Sequence, residues 1–232
     1  MIDVHHVSSG QATALAEVQA RRGNWFDPEL VDAFSAVAQD PGFWQMLNSV
    51  QLEPAVYALE PGGHEVTLDE DYLDDITEAF GQVVDAKSPY TAGHSARVGL
   101  YSALLGEHMG VPEPRRRWLK RGALLHDVGK LGVSNCILDK PGKLDAAEWQ
   151  AVQRHASYTE AILSRVRIFD ELARVSAAHH ERLDGQGYPR GLAAADIALE
   201  TRIITTADIF DAITAERPYR GAVPVDQTLA IM

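Results

Sequence analysis

Apolar residues recur at helical spacing over most of this 232-residue chain, and no stretch alternates long enough to require a β-sheet. From Leu68 onward the spacing predicts six helices, over residues 69–84, 88–109, 114–126, 146–166, 169–180 and 200–216. The predicted buried face of the first of them consists of Tyr72, Leu73, Ile76, Phe80 and Val83. The sequence therefore predicts an all-α fold.

A smaller helical segment is predicted before this region. Its expected helices cover residues 11–22, 28–39 and 43–50. Asp27 followed by Pro28 provides the N-cap and the first residue of the middle helix. Residues 51–70 contain several Pro and Gly with little periodicity, which is typical of a connector. We therefore expect a domain boundary that separates residues 1–67 from residues 68–232.

The composition limits where the protein is expected to act, which partners it can bind, and which residue types could bind a metal. No window approaches about 18 uninterrupted apolar residues, and the first ten residues lack the basic and apolar regions of a signal peptide, which predicts a cytoplasmic protein. A net charge of −12 argues against binding to nucleic acid polymers or to anionic membranes. The single cysteine, Cys136, excludes an intramolecular disulfide and is expected to fill space as a small hydrophobic residue. Metal ligands would therefore be histidines and carboxylates.

Polar residues interrupt the apolar pattern in a way that indicates metal binding. His126 and Asp127 end an apolar run and are followed by Gly129 and Lys130. Unpaired imidazole and carboxylate groups cost roughly several kcal/mol at such a position, and a metal ion would satisfy both. The positions where His or Asp replaces an expected core residue are His94, His126, Asp127, His155, His179, His180 and Asp208. These ligand types suit zinc, iron or manganese.

The adjacent pairs suggest two ions rather than one. Successive side chains on a helix diverge by about 100°, so His179 and His180 are expected to serve different ions. Asp127 has two oxygens and could bridge these ions while His126 binds one of them. Two ions roughly 3.5–4 Å apart would hold a bridging water or hydroxide, which is the usual nucleophile of metal-assisted phosphoester hydrolysis.

Several separate segments carry a resemblance to a known family. They include Leu-Leu-His-Asp-Val-Gly-Lys-Leu-Gly-Val at 124–133 and His-His-Glu-Arg-Leu-Asp-Gly-Gln-Gly-Tyr-Pro at 179–189, with further matches at 87–98, 155 and 207–212. In their residues and order they resemble the HD-GYP phosphodiesterases of the HD phosphohydrolase superfamily, between residues 88 and 220. The resemblance implies an HD-domain helical bundle, a binuclear or trinuclear metal centre, and hydrolysis of cyclic di-GMP to linear pGpG or to GMP.

The resemblance also implies roles for individual residues. The seven His and Asp residues named above match the family's metal ligands, and Asp127 and Lys130 are the expected catalytic residues. Lys130 matches a lysine that faces the substrate phosphate and would stabilise developing charge there. The remaining expected substrate-binding residues are the signature loop Gly187, Tyr188 and Pro189, and the cations Arg217 and Arg220.

One departure from the family pattern concerns the number of metal ions. Members with a third metal have a Glu four residues before the first ligand histidine, and here that position is Tyr90. We therefore expect two divalent ions. The resemblance implies that they are iron or manganese, with zinc, nickel, cobalt or magnesium as alternatives. Glu181 and Asp184 could orient the imidazoles, although Glu181 is expected to be solvated at the surface.

The ends of the chain resemble parts of a longer arrangement. Residues 23–34 resemble the segment that closes an HD-GYP domain, yet they precede the catalytic motifs, and the chain stops inside a helix that begins near Val225. A natural protein with two HD halves, or packing of the N-terminal segment in place of a missing C-terminal helix, would each account for this. The expected partners are accordingly a second HD half or a second copy of the chain in a homodimer. A coincidental helix-start motif is the simplest alternative.

The functional hypothesis is a cyclic di-GMP phosphodiesterase in which a metal-bridging hydroxide attacks one phosphodiester. Two alternatives remain open. One is an HD phosphohydrolase that acts on another nucleotide, such as a hybrid cyclic dinucleotide. The other is an inactive signalling module that binds a cyclic dinucleotide without hydrolysing it.

Overall fold

The computed structural model describes residues 2–59, 68–89, 91–215 and 221–232. The chain divides into two compact units, Met1–Thr67 and Leu68–Met232. The described residues form α-helices, short 3-10 helices and two isolated β-bridges, with no β-strand among them. The predicted all-α fold is therefore confirmed. In the part of the chain that the structure describes, no helix combines the length and apolar character needed to cross a membrane.

In the first unit, the described residues 2–59 form five helices. They are α1 (Ile2–Ser9), α2 (Gln11–Ala20), α3 (Pro28–Val37), α4 (Pro41–Leu47) and α5 (Leu52–Ala58). Asp27 caps α3 by accepting hydrogen bonds from Glu29 N and Leu30 N, as its sequence position predicts. Helix α1 was not predicted, and α5 corrects the expectation of an irregular connector, because Pro54 lies in its first turn, where proline is tolerated. Residues 60–67 of that connector lie outside the described residues.

The described residues of the second unit, 68–89, 91–215 and 221–232, form eight α-helices. They are α6 (Glu70–Asp85), α7 (His94–His108), α8 (Glu113–Leu125), α9 (Asn135–Leu138), α10 (Ala146–Leu163), α11 (Asp170–Ala177), α12 (Leu199–Thr214) and α13 (Val225–Ile231). Three 3-10 helices, Val128–Gly132, Arg167–Phe169 and Ala194–Asp196, lie between them.

Helix α8 lies at the centre of this bundle and contacts α6, α7, α11 and α12. Its second half supplies the fully buried Leu119 and Leu125, which pack in the cores that contain Ile204 and Leu172. Its basic first half is held by ion pairs, since Arg115 contacts Glu171 and Glu200 at 2.7 Å each. Packing against these four helices fixes the end of α8, which His126 directly follows.

The buried face of α6 differs from the predicted one. Leu73 is buried, but Tyr72, Phe80 and Val83 are between 42% and 55% exposed. The buried positions of α6 instead include Thr77 and the small Gly81, and Gly81 lies close to Leu124 and Ser95. The small side chains let α6 approach its neighbours, and apolar spacing alone could not reveal which face does so.

Helix α7 begins at His94 rather than at residue 88. Thr91 Oγ1 donates to Asp85 O at 2.8 Å and ties the preceding residues into a turn, and Gly93 has a φ of +69°. The turn ends at this positive φ. Glycine adopts such a conformation without the strain that it causes in other residues. His94 thereby lies in the first turn of a helix, where its side chain points to the centre of the bundle and is 3% exposed.

Cys136 does not fill space in a core. It lies in α9 and is exposed, which corrects the prediction that it acts as a small buried hydrophobic residue. Its helix is a single turn near the surface, and burial of a four-residue helix depends on tertiary contacts that the local sequence does not specify.

Candidate metal centre

The structure brings all seven predicted His and Asp residues to one place in the second unit. They come from the start of α7, the residues directly after α8, the middle of α10, the turn after α11 and the middle of α12. His126, Asp127, His155 and His179 are at most 2% exposed. Three overlapping groups have ligand atoms close enough to hold an ion: His94, His126 and Asp208; His126, Asp127 and His179; and His155, His179 and His180.

Asp127 lies between two sets of imidazoles. Its Oδ2 atom is 3.3 Å from His126 Nε2 and 3.6 Å from His94 Nε2. Its Oδ1 atom is 3.4 Å from His155 Nε2 and 3.8 Å from His179 Nε2. Each carboxylate oxygen therefore faces its own pair of ring nitrogens, an arrangement that suits a carboxylate shared by two ions.

The imidazoles are oriented by hydrogen bonds from their Nδ1 atoms. His126 Nδ1 lies 2.6 Å from Ala123 O, His155 Nδ1 lies 2.5 Å from Val152 O, and His179 Nδ1 lies 2.7 Å from Ser176 O. A backbone carbonyl only accepts hydrogen bonds, so each of these Nδ1 atoms carries the proton. Each Nε2 lone pair is therefore free to face the centre, as in metal-binding histidines.

Two buried atoms at the centre indicate that a metal ion would fit there. His126 Nε2 and Asp127 Oδ1 have no hydrogen-bond partner among the described residues. Unsatisfied buried acceptors are costly, and two of them facing the same space among four imidazoles are well suited to a divalent ion. The donor set of this chain thus fits the metal that the sequence predicts.

The charge states of three histidines favour metal binding. Burial lowers the pKa of His155 below its usual value, and burial together with His180 lowers that of His179 much further. The pKa of His180 falls to about 4, because of burial and then of nearby His155. These three imidazoles are therefore neutral at pH 7, with their lone pairs available.

Nearby charges outweigh burial in setting the pKa values of His94 and Asp127. Burial would lower the pKa of His94, but Asp127 and Asp211 outweigh it and raise the pKa to about 9. Burial would raise the pKa of Asp127, but Lys130 and His126 hold it well below the usual range. Lys130 Nζ donates directly to Asp127 Oδ2, so the ammonium lies inside the centre.

The histidine pair lies beyond the helix on which it was predicted. Helix α11 ends at Ala177, and His179 and His180 follow in a turn with their ring centroids 4.0 Å apart. The divergence of about 100° between successive helical side chains does not apply there. Both rings lie near His155, and the ligand atoms of these three histidines are close enough to share one ion. Assignment of the pair to different ions therefore stays a prediction.

Asp211 completes the centre and was not identified from the sequence. It is 1% exposed, and its Oδ2 lies 2.8 Å from His94 Nδ1. Arg97 Nε donates to its other oxygen at 2.5 Å. Burial would raise its pKa, but His94 and Arg97 lower it to about 2. Its position one helical turn after Asp208 on α12 was the available signal, because residues three apart share a helix face.

Glu181 and Asp184, the acidic neighbours of the histidine pair, have roles other than orienting its imidazoles. Glu181 is 5% exposed rather than solvated, and it accepts hydrogen bonds from Arg190 N at 2.7 Å and Leu192 N at 2.8 Å. It therefore holds the loop that carries the signature residues. Asp184 is exposed and bonds to Arg182, so it does not orient an imidazole.

The signature loop lies against the centre. Tyr188 stacks on His180 with ring centroids 4.7 Å apart and an angle of 33°, and the Tyr188–Pro189 peptide is cis. A Cβ on Gly187 would lie 2.3 Å from Arg182 N, so this position requires glycine. Tyr90, Arg217 and Arg220 lie outside the described residues.

Glu181→Ala is expected to loosen this loop without removing a candidate ligand. The change leaves two backbone N–H groups without their acceptor, which should cost about 2 kcal/mol. Hydrogen–deuterium exchange of residues 182–192 should rise several-fold, whereas Glu78→Ala, at an exposed position on α6, should leave it unchanged. Unaltered exchange in the Glu181 variant would show that its carboxylate does not hold the loop.

Comparisons with known proteins identify the family of this chain. Residues 78–232 match the family model described as HD domain. The chain is 54% identical to 3′3′-cGAMP-specific phosphodiesterase 3 of Vibrio cholerae, over 100% of this chain and 50% of that protein. It is 35% identical to a cyclic di-GMP phosphodiesterase of Thermotoga maritima, over 76% of this chain and 49% of that protein.

A solved structure shares the architecture. The crystal structure of a cyclic GMP-AMP specific phosphodiesterase of V. cholerae superposes with a TM-score of 0.60 at 50% identity, covering 99% of this chain and 53% of that one. The chain spans about half the length of the curated relatives it matches. Together, the family match, these relatives and the helical fold establish that the chain belongs to the HD domain family, in its HD-GYP branch.

Proposed function

We propose that this chain carries the catalytic domain of a metal-dependent phosphodiesterase that hydrolyses a 3′3′-linked cyclic dinucleotide. The observation that carries the proposal is the position of Asp127, whose two oxygens face two separate pairs of Nε2 atoms inside a buried centre. Such a centre is suited to two ions, which when bound would supply Lewis-acid activation of water and of the phosphodiester.

The proposed ligands divide between the two oxygens of Asp127. His94, His126 and Asp208 would share one ion with Asp127, and His155, His179 and His180 would share the other. Iron and manganese remain the first candidates because members of the family that the sequence resembles use them, whereas imidazole and carboxylate ligands would suit zinc as well. Two ions rather than three remains a prediction from Tyr90, which lies outside the described residues.

The remaining residues of the site would act on the substrate. Lys130 holds a fixed positive charge next to Asp127, where it would stabilise negative charge that develops on a phosphoryl oxygen. Tyr188, with Gly187 and Pro189, forms the wall beside His180 and would position the nucleotide. Contacts of Arg217 and Arg220 with phosphate, pairing with a second HD half or a second copy, and a cytoplasmic location remain predictions from the sequence.

The names of the relatives help to rank the candidate substrates. The sequence resemblance predicts cyclic di-GMP, whereas three V. cholerae relatives at 54%, 34% and 42% identity are named as 3′3′-cGAMP-specific. We therefore place 3′3′-cGAMP first. Cyclic di-GMP is the second candidate, supported by the T. maritima relative.

A substrate panel tests the proposal. Protein loaded with iron or manganese would be incubated with 3′3′-cGAMP, cyclic di-GMP, cyclic di-AMP and mononucleotides, and the products separated by HPLC. We expect linear dinucleotide or mononucleotide products, with the highest kcat/KM for 3′3′-cGAMP. Hydrolysis of none of them by metal-loaded protein would overturn the proposal, and calorimetric binding without turnover would establish the inactive signalling module instead.

Asp211→Asn is expected to weaken metal binding without removing a ligand. The variant loses the charge that orients His94, and loss of such a partner typically reduces metal affinity by about 10- to 100-fold. Competition with a metal chelator would measure the change. Asp184→Asn is the matched control because that carboxylate is exposed and bonds to Arg182, and equal affinities in the two variants would contradict the role of Asp211.

Metal binding near pH 7.5 is expected to release about one proton in total from His94, His155, His179 and His180. In the metal-free protein His94 is protonated, since its pKa is about 9, whereas the pKa values of His155, His179 and His180 are lowered. Ligands must be deprotonated to bind, so of these four histidines only His94 must lose a proton. Calorimetry in buffers of different ionisation enthalpy should give a slope near one, and a slope near zero or above three would contradict these charge states.

A further inference from the structure

A cavity of about 420 Å³ opens beside the metal centre, within the size range of ligand pockets. Its lining includes the candidate ligands His180 and Asp208, the charged Glu181 and Arg182, and the aromatic and apolar Trp149 and Ile209. The cavity thus combines candidate metal ligands with an aromatic and an aliphatic side chain that a flat ligand could contact.

Trp149 lines this cavity from the first turn of α10, which hydrogen bonds hold in place. Its helix α10 begins with a capping box in which Asp145 and Glu148 satisfy each other's backbone groups. Lys140 Nζ also donates to both oxygens of Glu148, at 2.6 and 2.7 Å. The first turn of α10 is therefore held in place, yet the Trp149 side chain is 49% exposed. A rigid, exposed indole on a pocket wall is suited to stacking against a flat ligand.

A series of rings connects Trp149 to the metal centre. The centroid of Tyr188 is 4.7 Å from that of His180 and 6.5 Å from that of Trp149, to which it lies nearly perpendicular, at 84°. Ile209 is 43% exposed and lies one residue after Asp208 on α12. A ligand with a phosphate at Asp208 could therefore place an attached ring system against Trp149 and Ile209.

We propose that Trp149 and Ile209 in the wall of this cavity form a purine-stacking subsite, in which the indole stacks on one base of the cyclic dinucleotide while its phosphodiester lies at the metal centre. This inference rests on the proposed function and deepens it. Stacking uses the π-face that all bases share, so it does not read which base is bound. Trp149 therefore contributes to affinity for guanine and adenine alike and does not set the preference between 3′3′-cGAMP and cyclic di-GMP.

Kinetics of Trp149 variants test the subsite. Trp149→Ala is expected to raise KM for 3′3′-cGAMP and for cyclic di-GMP by a similar factor, about 10- to 100-fold, the range expected from loss of base stacking. Trp149→Phe keeps an aromatic face and should stay within about threefold of wild type. Bis(p-nitrophenyl) phosphate is a phosphodiester without a purine, so its hydrolysis should not change. Trp25→Ala is the control, since Trp25 is a 70% exposed tryptophan in the other unit.

Binding to metal-free protein provides a second readout that does not depend on activity. Titration with 3′3′-cGAMP should quench tryptophan fluorescence in the wild type and in Trp25→Phe, and the quenching should be lost in Trp149→Phe. Quenching that persists in Trp149→Phe, or that is absent from the wild type, would overturn the subsite. So would a Trp149→Ala variant that impairs both phosphodiester classes equally, because that result indicates a structural role.

The two proposals fail in different ways. If wild-type protein hydrolyses neither a cyclic dinucleotide nor bis(p-nitrophenyl) phosphate, the proposed function fails, and the fluorescence titration still decides the subsite. If wild-type protein is active and Trp149→Ala leaves KM for both cyclic dinucleotides unchanged, the subsite fails and the proposed function stands.

Discussion

Asp127→Asn is expected to abolish turnover and to lower the bound metal content of the protein. The variant keeps the size of the side chain but removes the negative charge and one of the two carboxylate oxygens that face the imidazole pairs. Lewis-acid activation by a metal is worth several kcal/mol, so kcat should fall by at least about a thousandfold. Metal analysis of purified protein and HPLC assays of 3′3′-cGAMP hydrolysis would measure both effects. Because His126 is the other group with an unpartnered atom at the centre, His126→Ala should behave similarly.

Asp75→Asn provides the matched control. Asp75 lies on α6 in the same unit and is exposed, so the same chemical change there should leave activity and metal content at wild-type values. Circular dichroism should show that all variants retain helical structure. Full activity of Asp127→Asn, or activity of wild-type protein from which metal has been stripped, would show that Asp127 does not hold a catalytic metal.

Gly129→Ala is expected to produce the largest loss of stability among single changes near the centre. A Cβ at this position would lie 1.9 Å from His155 O and 2.6 Å from Thr159 N, both of which belong to the backbone of α10. Backbone cannot move aside as a flexible side chain can, so the cost should reach about 3 kcal/mol. The melting temperature should then fall by roughly 6–12 °C. Metal content should fall as well, because Gly129 separates Asp127 from Lys130 and packs against the helix that carries His155.

Gly221→Ala is the control for the glycine change. A Cβ at Gly221 meets nothing within 4 Å, so this variant should melt within about 1 °C of the wild type. Differential scanning fluorimetry of both variants with and without added metal would separate loss of fold from loss of metal. A Gly129→Ala protein that melts like the wild type would show that the close approach of this turn to α10 is not required.

Much of the second unit follows from local patterns. Helix α10 begins at Ala146 with Asp145 as its N-cap, as the sequence predicts, and α6, α8 and α12 lie within about two residues of their expected bounds. Periodicity and capping depend on neighbouring residues, which is why they are readable from one sequence. The boundaries that differ, such as the start of α7 at His94, depend on a turn closed by Thr91 and Asp85.

The candidate ligands were identifiable because of their residue types. His126, Asp127 and His155 interrupt patterns that would otherwise be apolar, and burying such groups without a partner is costly. Asp211 was missed because an Asp on a helix is usually solvated, and only its 2.8 Å contact with His94, which is 117 residues earlier in the chain, shows its role. Glu181 was misjudged for the same reason, since its partners Arg190 and Leu192 become neighbours only when the loop folds back.

The sequence by itself therefore determined that this chain is helical, which residues are candidate metal ligands, and which family it resembles, because helix periodicity and ligand chemistry are properties of local residue patterns. Only the tertiary structure decided which atoms face each other: that each oxygen of Asp127 meets its own pair of imidazoles, that Lys130 contacts Asp127, and that Trp149 lines the cavity beside the centre. The physical reason is that hydrogen bonds and metal coordination act over about 2–4 Å, and contacts of that length between residues far apart in sequence exist only after the helices have packed.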